Sequence, residues 1–213
     1  MEKFEVIDIK QLDRAEHFHF FLQMETVIEV TVKLDVTEAV AMCKKDGICF
    51  QSLLLFKIGQ TINQIENFRY DIFDGKLIRW ERIIPTFCFF NNSSKLFYTL
   101  CVDMADNFHE FDICYQKEKK QYADCKTLFP QENVPMNIFN VSCIPWLHFE
   151  HFSSNFKKME NRIVKMITIG KYKEENEKLM LPLTIQVSHA IADGYHVALL
   201  VDNLQKELNL VNL

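Results

Sequence analysis

The sequence predicts an α/β chain folded as a two-layer sandwich around a mixed sheet, and three observations predict it. Helical and strand periodicities are interleaved along all 213 residues without a regular β-α alternation, which disfavours a doubly wound parallel sheet. Segment 179–188 alternates Leu181, Leu183, Ile185 and Val187 with Pro182, Thr184, Gln186 and Ser188, the period of a strand with one apolar face. Only five Gly and five Pro punctuate the chain, with no linker, low-complexity tract or repeat, so 1–213 reads as a single domain.

The elements follow in order. After an extended entry, 12–24 has helical spacing, 26–35 is a strand rich in Val, Ile and Thr, and 37–45 is a short helix. Phe50, Leu54, Ile58, Ile62 and Ile65 then mark one face of a helix ending near Glu66. The period changes at Phe68: segments 68–73 and 76–81 flank Asp74-Gly75, a pair suited to the positive φ of a tight turn, and predict a β-hairpin. Strands are expected at 86–91 and 95–102, a helix at 107–122, and a loop at 129–136, where two prolines fall. Strands return at 138–143, 163–169 and 179–188. Val197, Val201, Leu204 and Leu208 give the closing segment 195–208 a helical stripe.

Several function classes are disfavoured at once. The formal charge is −5, and the densest basic cluster, Lys117, Lys119 and Lys120, is interrupted by Glu118, so nucleic acid is not an expected partner. The N-terminus carries no apolar signal-peptide core, and no run approaches eighteen uncharged apolar residues. A cytoplasmic protein with no membrane partner is therefore expected. Seven cysteines, an odd number without close paired spacing, read as reduced apolar residues rather than a disulfide framework or zinc knuckle, and no metal is expected. Cys143 stands out only because it follows Ser142.

The chemistry concentrates in Gln186-Val-Ser-His-Ala-Ile-Ala-Asp-Gly-Tyr-His196, where a histidine ends the alternating strand and an Asp-Gly pair precedes the last helix. Continued alternation puts His189 on the side of Val187. There a neutral imidazole could take a proton from a hydroxyl, the work of a general base. The residues alone equally allow a hydrogen-bonded structural histidine, with Asp193 as nothing more than the N-cap of the helix.

His189-Ala-Ile-Ala-Asp193-Gly194 resembles the HxxxDG signature of chloramphenicol acetyltransferases and dihydrolipoyl acyltransferase cores. Arg14-Ala-Glu-His17-Phe18, Phe68-Arg69 with Asp74 to Trp80, Asn140-Val-Ser142-Cys-Ile-Pro145-Trp146, Thr168-Ile-Gly170-Lys171-Tyr172 and Leu181 to Val187 resemble landmarks of the chloramphenicol enzymes, in family order across nearly the whole chain. The resemblance implies a homotrimer with a site at each subunit interface, where an acetyl group passes directly from acetyl-CoA to a chloramphenicol hydroxyl, a basis of antibiotic resistance. It implies His189 as general base and Ser142 of a neighbouring subunit as donor to the oxyanion. Arg14 and Asp193 would form a structural ion pair. Phe20, Phe21, Ile28 and Thr168 would line the acceptor site, and Trp146, Lys171 and Tyr172 would contact coenzyme A.

The chain also departs from the family pattern. Ser188 stands where a second histidine is usual, and Cys49-Phe50-Gln51-Ser52 replaces a common Lys-Phe-Tyr-Pro, losing a lysine that would meet a coenzyme A phosphate. Ile28, to within one residue of alignment, replaces a Tyr or Phe, and residues 148–151 also vary the pocket neighbourhood. Two alternatives thus accompany the leading reading: the same chemistry on another hydroxyl acceptor, and a catalytically silent trimeric binding protein.

Overall fold

The computed structural model describes residues 3–155 and 163–210. The chain enters through β1 (Phe4–Val6), followed by a short 3-10 turn and α1 (Ala15–Gln23). Next come β2 (Val27–Asp35), α2 (Thr37–Asp46) and α3 (Phe50–Gln64). Gly47 closes α2 at φ 68°, a left-handed cap that a side chain would strain. A hairpin of β3 (Tyr70–Phe73) and β4 (Lys76–Trp80) turns on Asp74 and Gly75, at φ 50° and 69°. Then follow β5 (Ile84–Asn91), β6 (Leu96–Cys101), α4 (Phe108–Gln121), β7 (Ile138–Cys143), β8 (Lys165–Ile169), β9 (Lys173–Glu175), β10 (Lys178–Ser188) and α5 (Gly194–Asn209).

The main sheet runs β2-β10-β8-β7-β5-β6, with β9 extending along the start of β10. The β2/β10, β10/β8 and β5/β6 pairs are antiparallel, while β7 is parallel to both β5 and β8, so the sheet is mixed as predicted. A second, three-stranded sheet, β1-β4-β3, adds to the expected architecture. Its β1 is the extended entry, zipped onto β4 with Phe4 opposite Trp80.

Alternation sorts the main sheet into two faces. Leu183, Ile185 and Val187 of β10, Ile167 and Ile169 of β8, Phe139 and Val141 of β7, and Phe87 and Phe89 of β5 are all buried and face the helices. Phe111 and Tyr115 of α4 pack in this layer, Tyr115 lying 5.2 Å from Phe87. The opposite face is more polar, but its β10 residues Thr184, Gln186 and Ser188 are buried as well. The segment after β7 crosses above them, Ser154 donating to Oε1 of Gln186 at 2.8 Å.

Several element boundaries differ from the sequence reading for local reasons. Residues 66–69 form a 3-10 turn that buries Phe68, so the hairpin begins only at Tyr70. β5 starts two residues before its expected boundary, because Ile84 donates to the Asn137 carbonyl and Pro85 is accepted near the strand's start. β9 was not anticipated. All seven cysteines are free thiols, and among the described residues no helix is long and apolar enough to cross a membrane.

The two sheets are tied by a buried ion pair. Nζ of Lys165 lies 2.9 Å from Oδ2 of Asp71 and donates to the Tyr70 carbonyl at 2.8 Å. The other carboxylate oxygen of Asp71 accepts from the amides of Ile72 and Ile163. Taking away one member leaves a buried charge uncompensated, so Lys165→Ala should cost about 3–5 kcal/mol in denaturant unfolding. A loss under about 1 kcal/mol, the value of a surface pair, would contradict this assignment.

Candidate active site

His189 sits one residue beyond β10, in a loop whose backbone is tied from several sides. Its amide donates to the Thr26 carbonyl at 2.8 Å, and Asn67 donates its side-chain N–H to the Ile191 carbonyl at 2.7 Å. Arg14, at the N-terminus of α1, donates Nη2 to the His189 carbonyl and Nε to the Ala190 carbonyl, both at 3.1 Å. Its third nitrogen, Nη1, lies 3.5 Å from Oδ2 of Asp193. One planar guanidinium thus grips three points of the loop, a geometry that lysine could not reproduce.

The ring of His189 is fixed in turn. It stacks on Phe21 at 3.7 Å with an 18° interplanar angle, and Nδ1 lies 2.9 Å from the Ala192 carbonyl. A carbonyl oxygen can only accept, so Nδ1 carries the hydrogen. In the neutral ring the lone pair is then on Nε2, the form a general base requires.

Asp193 is both N-cap and ion-pair partner. Its Oδ1 accepts from the Tyr195 amide at 3.0 Å and lies 2.9 Å from Nδ1 of His196, and the Asp193 amide donates to that same Nδ1 at 3.3 Å, closing a capping box. Burial works against its ionised form, but His196, the Tyr195 amide and Arg14 outweigh this and hold the carboxyl below its ordinary value.

Ser142 lies elsewhere. It pairs with Thr168 across β7/β8, and Thr168 with Thr184 across β8/β10, while Cys88 on β5 pairs with Thr99 on β6. Thr31 opposite Thr184 completes a row of small polar side chains across one face of the sheet, with Thr31 and Thr184 hydroxyls 2.7 Å apart. Oγ1 of Thr168 is buried without a hydrogen-bond partner. Ser142 opens into a cavity of about 360 Å³, together with Cys88, Phe90, Phe97, Ile144 and Trp146.

The model of the chloramphenicol acetyltransferase family matches residues 2–205. The chain belongs to the chloramphenicol acetyltransferase family. It is 34% identical to a chloramphenicol acetyltransferase of Clostridium perfringens over 97% of this chain and 99% of that protein. It is 32% identical to chloramphenicol acetyltransferase 3 of Escherichia coli, over 95% of each. A solved chloramphenicol acetyltransferase structure superposes with a TM-score of 0.90 at 20% identity, over 97% of this chain and all of the other, so the fold is that of the family.

Within this chloramphenicol acetyltransferase fold the residues picked out by sequence fall into two groups. Arg14, Phe20, Phe21, His189 and Asp193 gather at one end, Phe20 exposed and edge-on to Phe21. Ser142, Trp146, Thr168, Lys171 and Tyr172 gather at the far ends of β7 and β8. There Trp146 is 59% exposed and edge-on to Phe90, and Tyr172 is edge-on to Phe50. Lys171 donates its amide to the Leu147 carbonyl at 2.6 Å. Gly170 permits that close approach: a Cβ there would lie 2.9 Å from the Leu147 oxygen and 2.7 Å from Phe149 and Pro182. Ile28 stands opposite Val187 and packs against the core, while its neighbour Glu29 faces the other way, against Gln186.

The two groups are far apart within one chain. His189 follows Thr184 by five positions and Ser142 lies two strands across, which at about 3.3 Å per residue and about 4.8 Å per strand puts them roughly 19 Å apart. Asn67, Thr26 and His196, which hold the histidine loop, had no role in the sequence reading. Only His196 left a signal, at the third position after the Asp193 cap. Cys143 lies next to Ser142 on the opposite strand face, and burial pushes its thiol up to about 11, which disfavours the thiolate a nucleophile needs.

The depressed Asp193 carboxyl sets a sign. Its contribution to stability is present above the unfolded value near 3.8 and fades as pH falls through the lower folded value. Asp193→Asn should therefore melt below the wild type at pH 7, and the gap should narrow once pH falls below about 3.8. A gap that stays constant over that range would contradict an ionised Asp193.

Proposed function

We propose that this protein transfers an acetyl group from acetyl-CoA to a hydroxyl of chloramphenicol, conferring resistance to the drug in the cytoplasm, at a site formed between neighbouring subunits of a homotrimer. The single observation that carries this reading is the 2.9 Å contact of His189 Nδ1 with the Ala192 carbonyl, which commits Nδ1–H and leaves Nε2 to accept a proton. The separation of His189 from Ser142 within one chain supports a shared interface. Neither residue can reach a substrate held by the other of the same subunit.

The chain's residues perform the reaction in balanced steps. Nε2 of His189 takes the proton of the acceptor hydroxyl as its oxygen bonds to the thioester carbonyl carbon. The carbonyl electrons move onto oxygen, and Ser142 of the neighbouring subunit donates a hydrogen bond to that oxyanion, a contact of value only once charge has developed. When the tetrahedral intermediate collapses, the C–S bond breaks and the imidazolium returns its proton to the thiolate. No acyl-enzyme forms.

The surrounding residues supply the binding surfaces. The aromatic cavity beside Ser142 suits an aryl-bearing acceptor, with Phe20 and Phe21 of the histidine-bearing subunit closing over it and Thr168, buried beside Ser142 in the next strand, behind it. Trp146, Lys171 and Tyr172 fit coenzyme A in chemistry, as an exposed indole, a phosphate-seeking ammonium and a phenol ring. Ile28, partly buried on the side of Val187, would bound the acceptor site from β2.

In a thiol-release assay with acetyl-CoA and chloramphenicol, His189→Ala should lower kcat by about 10²- to 10⁴-fold. Ser142→Ala should lower it by about 10²- to 10³-fold. Drug-independent thiol release, or a nearly unchanged rate in His189→Ala, would refute the proposal. Sedimentation equilibrium should give three times the chain mass.

A further inference from the structure

A second constellation lies apart from the histidine loop, where the segment after β7 crosses β9 and β2. His148, Glu150 and Glu175 offer three ligand atoms within 4.8 Å of one another. Nε2 of His148 is 3.2 Å from Oε1 of Glu175 and 3.7 Å from Oε1 of Glu150. Ligand atoms around a tetrahedral zinc ion with bonds of about 2.0–2.1 Å stand roughly 3.4 Å apart, so these two spacings nearly match a coordination edge.

The imidazole is oriented for such a role. Nδ1 of His148 lies 2.9 Å from the Lys171 carbonyl, so it carries the hydrogen and the neutral ring's lone pair sits on Nε2. Metal-bound histidines are typically held this way, through the other ring nitrogen to a backbone carbonyl. Nε2 is buried without a hydrogen-bond partner, in a side chain only 11% exposed. Nε2 thus faces two carboxylates, an arrangement that a cation among them or a proton on the ring makes favourable.

At present a lysine supplies that charge. Nζ of Lys33 stands 3.0 Å from Oε1 of both Glu150 and Glu175, and Lys173 flanks Glu175 at 3.1 Å. An ammonium on a flexible four-carbon stem, in a side chain 29% exposed, can turn outward to water at little cost.

We propose that His148, Glu150 and Glu175 form a site for a divalent ion of the zinc class, with water completing the coordination and Lys33 as the internal cation that the metal displaces. The bound ion fastens the segment carrying Trp146 to β9. It takes no part in acetyl transfer, so this inference stands or falls independently of the proposed reaction.

The test is thermal unfolding of chelator-treated protein titrated with zinc chloride. Wild type should show a zinc-dependent rise in Tm, His148→Gln should show none, and Lys33→Met should reach the same rise at about tenfold lower zinc because the competing ammonium is gone. No rise in wild type would overturn the proposal. So would an equal rise in His148→Gln, which would assign the effect to cysteines or other histidines, or an unchanged zinc midpoint in Lys33→Met.

Discussion

The grip of one guanidinium on the loop after β10 is the constraint on which the rest of the site depends. Arg14 donates to two consecutive carbonyls of that loop and faces the carboxylate that caps α5. Without it, the carbonyls of His189 and Ala190 would lose their shared donor, and the loop would be held only by its contacts with Thr26 and Asn67 and by the Phe21 stack. With it, the loop closes so that Nδ1 meets the Ala192 carbonyl, and that contact decides which ring nitrogen keeps its lone pair. In the proposed reaction this ion pair acts at a distance, through the loop that sets the direction of the imidazole. In the proposed reaction Asp193 is a positioning residue, acting through the loop it caps.

The sheet prepares the other half of the site by register. Because β7 is parallel to β8 and β8 antiparallel to β10, Ser142, Thr168 and Thr184 fall side by side on the face away from the helices. Small polar residues there leave room for a cavity. The larger apolar residues of the same strands fill the helix side, so the core does not compete for that space. The same geometry carries Ser142 away from the histidine of its own chain. The proposed reaction, which needs both residues at one substrate, therefore requires copies of the chain to assemble.

Much of this was legible in the sequence because it rests on local patterns. The strict alternation of 181–188, the Asp-Gly turn of the hairpin and the apolar stripes of α3 and α5 each emerged within a residue or a few of expectation, as did the strand bearing Ser142. What escaped depends on partners distant in sequence. β9 is Lys-Glu-Glu, without apolar alternation, and becomes a strand only because β10 offers it an edge. β1 was readable as extended, but not its pairing with β4. The interior position of the polar side of β10 depends on a crossing segment, and the support Asn67 gives the histidine loop depends on a contact 124 positions away.

Mixed trimers offer the most direct measurement of the central claim, that His189 and Ser142 act together from different subunits. His189→Ala and Ser142→Ala chains, each of low activity alone, can be unfolded together and reassembled at equal ratio. The account predicts thiol release well above that of the two variants reassembled separately, because a hybrid interface can pair the intact histidine of one chain with the intact serine of the other. A mixture no more active than its separate components would show that base and oxyanion donor must belong to one chain, and would contradict the account.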